Sequence, residues 1–426
     1  MLFNFWPKIR YSSLVVGIRS KLPHGLVNNL KHLPVGILAN LIYGFPSKKL
    51  TIVGITGTDG KTTTAAYLYH LMHKSGLKTA LISTVSARIG NKTVNTGFHV
   101  TSPDHFALQR LLRRIVNQGI DYLVLEITSH GLVQHRLWGV RFTGGIVTNV
   151  AEDHLDYHTS WKNYLKAKAK LFKKTKFAVL NIEDKSYRFL QPISKGKVIS
   201  YGLKKGDFNE QNLGFTLPVE SDFNKLNLLA AVVAAQALGV KMKQIKASLR
   251  TLPKVKGRME LMQEKPFRVV VDFAHTPNAL KEALTSLRGQ VAKKRLLIAV
   301  FGCAGERDRG RRKMGKVTAE LADKSIITAE DPRTEGVAKI SIEIGRWAKK
   351  GGAIEVNADQ LKEKKGRVFA KINDREEAIT KALTIAQKGD VVGIFGKGHE
   401  KSICFGIKEY PWSDQKVVKR LLRERK

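Results

Sequence analysis

The stretch Leu50–Lys74 reads LTIVGITGTDGKTTTAAYLYHLMHK. A run of β-branched residues is followed by a glycine-rich turn and then by helical periodicity, an order typical of a strand, a phosphate-binding loop and a helix. In such a loop the glycines let backbone N–H groups approach phosphate oxygens, Lys61 supplies a cation and Thr62 can ligate Mg²⁺. The strict Walker spacing would place a glycine where Ile55 stands, so the sequence predicts a shorter variant of a nucleotide-binding loop.

The alternation of short apolar runs with helical stretches continues beyond this loop. Apolar runs separated by helices favour a largely parallel sheet that is covered on both faces. Pro253 and a basic stretch interrupt the helical pattern near residues 252–257, and the alternation then begins again. We therefore predict a basic N-terminal segment (1–48), a central P-loop ATPase-like α/β domain (49–253) and a smaller Rossmann-like α/β domain (254–426).

The charge of the chain is strongly positive. Its 426 residues include 74 Lys and Arg against 36 Asp and Glu, which gives a formal net charge of +38. Such an excess fits nucleic-acid binding, attraction to anionic membranes, phosphorylated substrates or a generally basic proteome. The basic residues are spread along the chain without a zinc-finger spacing or an RNA-recognition signature, so we expect no nucleic-acid partner. Cys303 and Cys404 are the only cysteines, which fits a reducing compartment.

The N-terminal segment combines basic and apolar residues, and its first acidic residue is Asp59. Its apolar stretches are too short to span a bilayer, and Asn40 interrupts the one at Val35–Phe45. No cleavage site of small residues follows a clean apolar run, so no secretory signal is expected. Two interpretations stay open: residues 1–45 lie on an anionic membrane, or they form helices that pack on the following domain.

Two further polar segments directly follow predicted strands. Glu126–Arg136 reads EITSHGLVQHR, and Thr148–His158 reads TNVAEDHLDYH. The carboxyl ends of parallel strands form the ligand-binding edge of an open sheet, so both segments should lie near the glycine-rich loop. Their carboxylates and imidazoles suit a site for Mg²⁺ and phosphate. Taken alone, the second segment could instead be a solvated helix start capped by Asp153.

These motifs resemble those of the Mur ligase family, and within it the MurE type, the UDP-N-acetylmuramoyl-tripeptide synthetases of peptidoglycan synthesis. The loop is similar to the family's GTNGKTT with Asp59 in place of asparagine, and the next segment to EVSSHGLVQHR with Thr128 in place of serine. The third is similar to TNxxxDHLDYH, and GRME (257–260), DFAHTP (272–277), FGCAGERD (301–308) and GKGHE (396–400) follow in the family's order. The resemblance runs from about Leu50 to the C-terminus. It implies an ATP-dependent amide ligase that forms an acyl phosphate.

The resemblance also implies roles for individual residues. Lys61, Glu126, His154 and Lys168 would be catalytic, and Thr62, Glu126, His154 and a carbamate on Lys168 would hold two Mg²⁺ ions. The implied ATP-binding residues are Gly57, Thr58, Asp59, Gly60, Lys61, Thr62, Thr63, Asn224, Asn227, Arg258, Asp272 and His275. The implied acceptor-binding residues are Thr101, Ser102, Thr128, Gln134 and Arg136. The implied amino-acid-binding residues are Arg307, Glu330, Asp331, Pro332, Arg333, Gly396 and Glu400.

Lys168 belongs to the segment Tyr164–Phe172, which is similar to the family segment that contains a carbamylated lysine. A carbamate converts a cation into a metal-binding anion, and its formation requires the neutral amine. We expect Lys166 and Lys170 to lower the pKa of Lys168 and so to favour that amine. Without the resemblance, the three lysines would simply be part of a basic helix.

Residues 330–333 read EDPR where the relatives that add meso-diaminopimelate carry DNPR and those that add lysine lack the arginine. Arg333 can pair bidentately with the distal carboxylate of diaminopimelate, and Glu400 can face its ammonium group. The resemblance therefore favours diaminopimelate, added to UDP-N-acetylmuramoyl-L-Ala-D-Glu. Full-length MurE proteins carry a uridine-binding domain ahead of the loop, whereas 56 residues precede Gly57 here, so we expect a short form without that domain.

Two alternatives stay open. The first is a related ligase with a different acceptor, for example a lipid-linked one, which residues 1–45 would place at the inner membrane face. The second is a non-catalytic protein that binds nucleotides or nucleic acid, and only the charge favours it. A pure binder has no need of two metal sites, so the implied metal ligands argue against the second alternative. We expect a cytoplasmic monomer whose partners are its small-molecule substrates.

Overall fold

The computed structural model describes residues 28–90, 92–94 and 103–425. These residues form two large sheets of mainly parallel strands, each with helices on both faces, and a small antiparallel hairpin of two strands. The strands are β1 Thr51–Thr56, β2 Thr79–Ile82, β3 Ala87–Ile89, β4 Lys92–Val94, β5 Tyr122–Glu126, β6 Gly144–Val147, β7 Phe177–Asn181, β8 Lys197–Tyr201, β9 Glu260–Gln263, β10 Arg268–Asp272, β11 Leu297–Phe301, β12 Lys324–Ile327, β13 Ile354–Glu355, β14 Val368–Lys371, β15 Val391–Phe395, β16 Ser402–Phe405 and β17 Lys408–Pro411.

The helices connect these strands and cover the sheets. They are α1 Leu33–Tyr43, α2 Lys61–Lys74, α3 His105–Asn117, α4 Ser129–Val133, α5 Leu155–His158, α6 Trp161–Ala169, α7 Tyr187–Leu190, α8 Asp222–Ala237, α9 Met242–Leu249, α10 Pro277–Arg288, α11 Met314–Leu321, α12 Val337–Lys350, α13 Arg375–Ile385 and α14 Asp414–Glu424. Within the described ranges, none of the helices has the length and apolar character needed to span a bilayer.

The first sheet has the strand order β4-β3-β2-β5-β1-β6-β7-β8. The six strands from β2 to β8 run parallel, and β3 and β4 add an antiparallel edge. Successive side chains of β1 point to opposite faces: Ile52 packs on the side of α3 and α6, and Val53 packs on the side of α2 and α8. Burial of both faces explains the continuous apolar run in β1.

The second sheet has the order β13-β14-β12-β11-β15-β10-β9, in which all pairs are parallel except β9 with β10. Phe301 on β11 packs with α10, α11 and α12, and Val300 packs with α13 and α14 on the other face. The fold prediction of a parallel P-loop unit followed by a smaller α/β unit is confirmed. Helix α9 ends at Leu249 and β9 begins at Glu260, and the domain boundaries remain predictions.

Helix α1 packs on the first unit ahead of β1. Gly36 and Ala39 on its inner face are buried, and Asn40 donates a hydrogen bond to the Trp138 carbonyl at 2.7 Å. A Cβ on Gly36 would crowd Trp138 and His105, so glycine permits the close approach of the helix. Packing of helices on the following domain is thus confirmed for residues 33–43, whereas residues 1–27 lie outside the described part.

Candidate active site

A cavity of about 640 Å³ lies between the two units, at the carboxyl ends of their parallel strands. The β1–α2 loop, the end of β5 and the segment after β6 line it from the first unit, and residues after β10, β12 and β15 line it from the second. Because β1 pairs in parallel with both β5 and β6, the three sequence motifs that follow these strands meet at one edge. The predicted proximity of the three segments is confirmed.

The phosphate-binding loop needs glycine at two places. A Cβ on Gly57 would overlap the Thr148 side chain, and one on Gly60, which has φ 83°, would overlap Asn227. Behind the loop, Thr62 Oγ1 lies 3.0 and 3.1 Å from the two carboxylate oxygens of Glu126. These are the hard oxygen ligands that Mg²⁺ takes alongside phosphate oxygens and water. In the described residues, no group of three His, Cys, Asp or Glu is placed to hold a metal ion.

Lys61 folds back on its own loop. Its Nζ donates hydrogen bonds to the carbonyls of Gly57 at 3.1 Å and of Thr58 at 2.7 Å. Burial lowers the pKa of Lys61, while the carboxylates of Glu126 and Asp59 work in the opposite direction. The ammonium therefore lies at the mouth of the loop, where the phosphates of a nucleotide would replace the two carbonyls as its partners.

Lys168 is almost completely buried, with 1% of its surface exposed. Its Nζ donates to the Gly57 carbonyl at 2.7 Å and lies 4.1 Å from the centre of the Tyr164 ring. Burial, followed by repulsion from Lys61, lowers the pKa of Lys168 well below its usual value. The predicted direction is confirmed, but the predicted cause is wrong. Lys166 and Lys170 are exposed, because residues two apart on a helix point to different sides.

His154 begins α5 with a left-handed backbone, at φ 55°. Its Nε2 lies 3.3 Å from Asp153, and its ring packs edge-on against His130. Burial is the main reason why the pKa of His154 is lowered, so the imidazole is neutral at pH 7 and its nitrogen can ligate a metal. Asp153 does not cap the helix, since Leu155 N–H instead donates to Asp308 at 3.0 Å.

Asp153 forms a buried ion pair with Arg311 of the second unit. The Arg311 nitrogens Nε and Nη2 lie 3.1 and 3.0 Å from Asp153 Oδ1, and about 7% and 5% of the two side chains is exposed. Burial works to raise the pKa of Asp153, but Arg311 and His154 outweigh it and hold that pKa below its usual value. The pair therefore fastens the second unit to the first beside His154.

Arg258 reaches across the cavity from the second unit. Its Nη2 lies 3.2 Å from Thr62 Oγ1, and its guanidinium stacks 4.4 Å from the centre of the Phe273 ring. Asp272 accepts hydrogen bonds from the backbone N–H groups of Met259 and Ala274, which fixes the turn that carries Arg258. His275 of the second unit and Asn224 and Asn227 on α8 of the first unit, which are also predicted nucleotide residues, line the cavity as well.

Asp59, the departure from the family motif, is a second link between the units. It accepts hydrogen bonds from Thr276 Oγ1 at 3.2 Å and from Asn278 Nδ2 at 2.9 Å, both at the N-terminus of α10. Burial raises the pKa of Asp59, and the bond from Asn278 works against that rise. The N-terminal end of a helix favours a carboxylate, so α10 and the loop support each other.

The predicted acceptor residues are divided. Thr128 caps α4 by accepting from Gly131 N–H at 3.0 Å, and Arg136 donates to Gln134 Oε1 at 2.6 Å. Thr128 and Arg136 line the cavity, whereas Gln134 is not part of its lining. Thr101 and Ser102 lie outside the described residues.

The predicted amino-acid residues surround the opposite end of the cavity. Glu330, Asp331, Arg333, Arg307 and Glu400 line it, whereas Pro332 and Gly396 are not part of its lining. Burial, followed by repulsion from Asp331, raises the pKa of Glu330 to about 7. Neither Glu330 Oε2 nor Arg333 Nε has a hydrogen-bond partner although both are buried, so both are available to a ligand.

Sequence reasoning missed several residues of this site. Lys397 is 1% exposed, and its Nζ lies 2.7 Å from Asp331 and 2.5 Å from Glu400, so it holds the two carboxylates together. Arg311 and Asn278 were also missed. Lys397 lies inside the GKGHE motif of the sequence, so the motif could have identified it as a residue of the site. The partners of Arg311 and Asn278 are distant in sequence, and nothing local marks them.

Comparisons with known proteins give the following similarities. Residues 55–235 match the Mur ligase middle domain, and residues 257–398 match the family described as Mur ligase, glutamate ligase domain. The chain is 37% identical to the UDP-N-acetylmuramoyl-L-alanyl-D-glutamate–2,6-diaminopimelate ligase of Phocaeicola vulgatus, over 93% of this chain and 85% of that protein.

Two solved structures are similar as well. One is a UDP-N-acetylmuramoyl-L-alanyl-D-glutamate–2,6-diaminopimelate ligase, with a TM-score of 0.56 and 30% identity over 88% of this chain and 79% of that one. The other is the MurF ligase of Thermotoga maritima in complex with ADP, with a TM-score of 0.63 over 92% of this chain and 85% of that one. At 21% identity, the second likeness concerns the fold alone.

Proposed function

The chain belongs to the Mur ligase family, and from this membership we propose that it joins meso-diaminopimelate to UDP-N-acetylmuramoyl-L-alanyl-D-glutamate at the expense of ATP. The relatives with 37% and 35% identity from Phocaeicola vulgatus and Aquifex aeolicus are named for this acceptor and amino acid. The product is an amide-linked precursor of peptidoglycan.

The reaction has two steps. The acceptor carboxylate attacks the γ-phosphorus of ATP, which forms an acyl phosphate and releases ADP. The amine of diaminopimelate then attacks the acyl carbon, loses a proton and displaces inorganic phosphate. The first step brings two anions together, so positive groups must neutralise their charge. Lys61 contacts the loop at Gly57 and Arg258 contacts it at Thr62, so these are the cations placed for this role.

Thr62 and Glu126 are the residues that would hold one Mg²⁺, and His154 with Lys168 would contribute to a second. Bound Mg²⁺ would neutralise phosphate charge in the first step. The lowered pKa of Lys168 supplies the neutral amine that combines with CO₂ to form a carbamate. Its Nζ, now bonded to the Gly57 carbonyl, would then carry an anion beside the loop.

Diaminopimelate fits the far end of the cavity through its two charged ends. Arg333, whose Nε is free of hydrogen bonds, would pair with the distal carboxylate. Glu330 and Glu400 would face the distal ammonium. Lys397 already pairs with Asp331, so that aspartate is less able to repel the substrate carboxylate.

One observation carries the proposal. The phosphate loop with Thr62 and Glu126 and the Glu330–Arg333 segment open into the same cavity, from opposite units. ATP, an acceptor carboxylate and a diamino acid can therefore meet in one space that closes against water. We infer that the enzyme works as a monomer in the cytoplasm, since the cavity needs residues of one chain and both cysteines are free thiols.

The test measures phosphate release with ATP, Mg²⁺ and UDP-N-acetylmuramoyl-L-Ala-D-Glu. Release should require diaminopimelate, should be slow with lysine, and should vanish in a Lys61→Ala variant. Arg333→Ala should raise KM for diaminopimelate by about tenfold to a hundredfold, the effect of one charge-assisted bidentate contact. Arg309→Ala removes an exposed arginine nearby and serves as the matched control.

Three results would contradict the proposal. Phosphate release no higher than in Lys61→Ala would exclude the reaction with this acceptor. A preference for lysine that Arg333→Ala leaves unchanged would exclude the assignment of the amino acid. An equal rise in KM for Arg309→Ala would show that general charge, and not the contact with Arg333, governs binding.

A further inference from the structure

Helix α1 has two faces of different character. Its inner face, with Gly36, Ala39 and Asn40, is buried against α3 and the loop 134–139, where Asn40 is bonded to the Trp138 carbonyl. Just before the helix, Asn29 Oδ1 lies 2.9 Å from the ring of His135 in the same loop. The helix is thus fixed beside the segment that follows β5.

The outer face of α1 is apolar and open to solvent. Val35, Leu38, Leu41 and Ile42 are 37%, 51%, 60% and 61% exposed. Their spacing of three and four residues puts them in one stripe along the helix. Leu30, just before α1, is 69% exposed and extends the apolar surface. We call Leu30, Val35, Leu38, Leu41 and Ile42 the outer stripe.

Positive charge lies at both ends of the outer stripe. Lys31 precedes the helix, and Lys48 and Lys49 follow it, with Lys48 and Lys49 exposed. Lys48 also lies 4.7 Å from the centre of the Phe45 ring, which keeps its charge next to an aromatic group. Residues 28–50 contain no Asp or Glu. An apolar stripe with basic ends and no acid complements the surface of an anionic bilayer.

We propose that the outer stripe docks the enzyme on an anionic lipid surface. The apolar side chains enter the boundary between headgroups and acyl chains, and Lys31, Lys48 and Lys49 pair with the phosphates above it. A second copy of the chain is a poorer occupant, since a symmetric contact would bring these lysines against their own counterparts. Docking places the bilayer near the loop 134–139 and goes beyond the proposed ligase reaction, which needs no membrane.

The experiment is vesicle flotation with the full chain. Vesicles of phosphatidylcholine alone are compared with vesicles that contain equal amounts of phosphatidylcholine and phosphatidylglycerol. The protein should float with the anionic vesicles and bind the neutral ones about tenfold more weakly. Leu38→Glu/Ile42→Glu should weaken binding to the anionic vesicles by about tenfold or more, because two carboxylates enter the apolar boundary.

Matched controls separate this surface from the general charge of +38. Ile342→Glu/Ile354→Glu makes the same change at two exposed isoleucines of the second unit, 45% and 55% exposed, and should alter binding by less than about twofold. The melting temperature followed by circular dichroism should be the same as in wild type for both double variants, which verifies that they fold. This readout also keeps the test independent of the proposed ligase function.

Each other outcome overturns the proposal. Equal weakening by both double variants means that the protein binds lipid through its overall charge. No flotation of the full chain means that this surface does not reach the bilayer. A dimer in light scattering that Leu38→Glu/Ile42→Glu converts to a monomer means that the outer stripe is an interface between two copies.

Discussion

Replacement of Arg311 by methionine should loosen the two units without unfolding either of them. Asp153 would lose its partner while it remains 5% exposed in the closed arrangement. An uncompensated buried carboxylate costs about 3–5 kcal/mol. Movement of the second unit would return Asp153 to water and avoid that cost. The expected consequence is a shift toward the open arrangement, and not a lower melting temperature.

The size of the effect on catalysis follows from the free-energy cost of the unpaired Asp153 carboxylate. If the two units must close before phosphate transfer, a closed arrangement that is about 3 kcal/mol less stable reduces kcat/KM for ATP by about a hundredfold. The double variant Asp153→Asn/Arg311→Met removes both charges, so it should recover part of the lost kcat/KM. In the double-mutant cycle of these two residues, the coupling energy should be about 2 kcal/mol. The pKa of Asp153 should rise in Arg311→Met, because burial raises this pKa and the positive charge of Arg311 that lowers it is gone.

The assay combines phosphate release with small-angle scattering in the presence of a non-hydrolysable ATP analogue. Wild type should become more compact when the analogue is added, and Arg311→Met should respond less. Arg375→Met is the matched control, because Arg375 and Asp414 form an even more deeply buried pair that joins α13 and α14 within the second unit. That variant should lower the melting temperature. Wild-type scattering and an unchanged KM for ATP in Arg311→Met would refute the reasoning.

Three further changes test other parts of the site. Lys168→Ala should lower turnover by about a hundredfold, because the carbamate charge proposed beside the loop is lost. Lys166→Ala alters an exposed lysine two residues away, and its rate of phosphate release should stay within about twofold of wild type. Equal losses in the two variants would contradict the special role of Lys168. Asp59→Ala removes the hydrogen bonds from Thr276 and Asn278 and should raise KM for ATP by about tenfold. Asp59→Asn can form both bonds again, so its KM for ATP should remain within about threefold of wild type. Identical KM values for the two variants would count against this link between the units. Burial raises the pKa of Glu330 from 4.5 to about 7, so the folded protein holds a proton that the unfolded chain releases, and stability should fall as the pH rises through this window. Glu330→Gln should remove that part of the slope in urea unfolding at a series of pH values, and a slope equal to wild type would be evidence against a buried neutral carboxyl group.

The parts of the fold that follow from local pattern were predictable from the sequence. The run of β-branched residues that opens Leu50–Lys74 forms β1 Thr51–Thr56, because a strand buried on both faces carries a continuous apolar run. The hairpin of β16 and β17 was missed. Each strand has only four residues and β17 is exposed along its length, so no long apolar run marks the hairpin.

The candidate site was predictable where motifs carry the residues and not where distant residues meet. Thr62 and Glu126 were expected together because both follow parallel strands. The pairing of Asp153 with Arg311 joins residues 158 positions apart and depends on how the two units face each other. The environment of Lys168 was misjudged because spacing along a helix does not reveal that Lys61, from another element, is the nearest cation.

The hydrogen bonds of Lys61 to its own loop have a consequence for product release. Any anion that enters the loop must replace two backbone carbonyls, each worth about 1 kcal/mol to the ammonium. A nucleotide compensates through its additional contacts with the rest of the cavity, whereas free phosphate has none. The loop should therefore re-form its internal bonds and expel the phosphate left by each turnover. Because Lys61 can bond to its own loop, the smaller product would leave readily and the loop would be free for the next ATP.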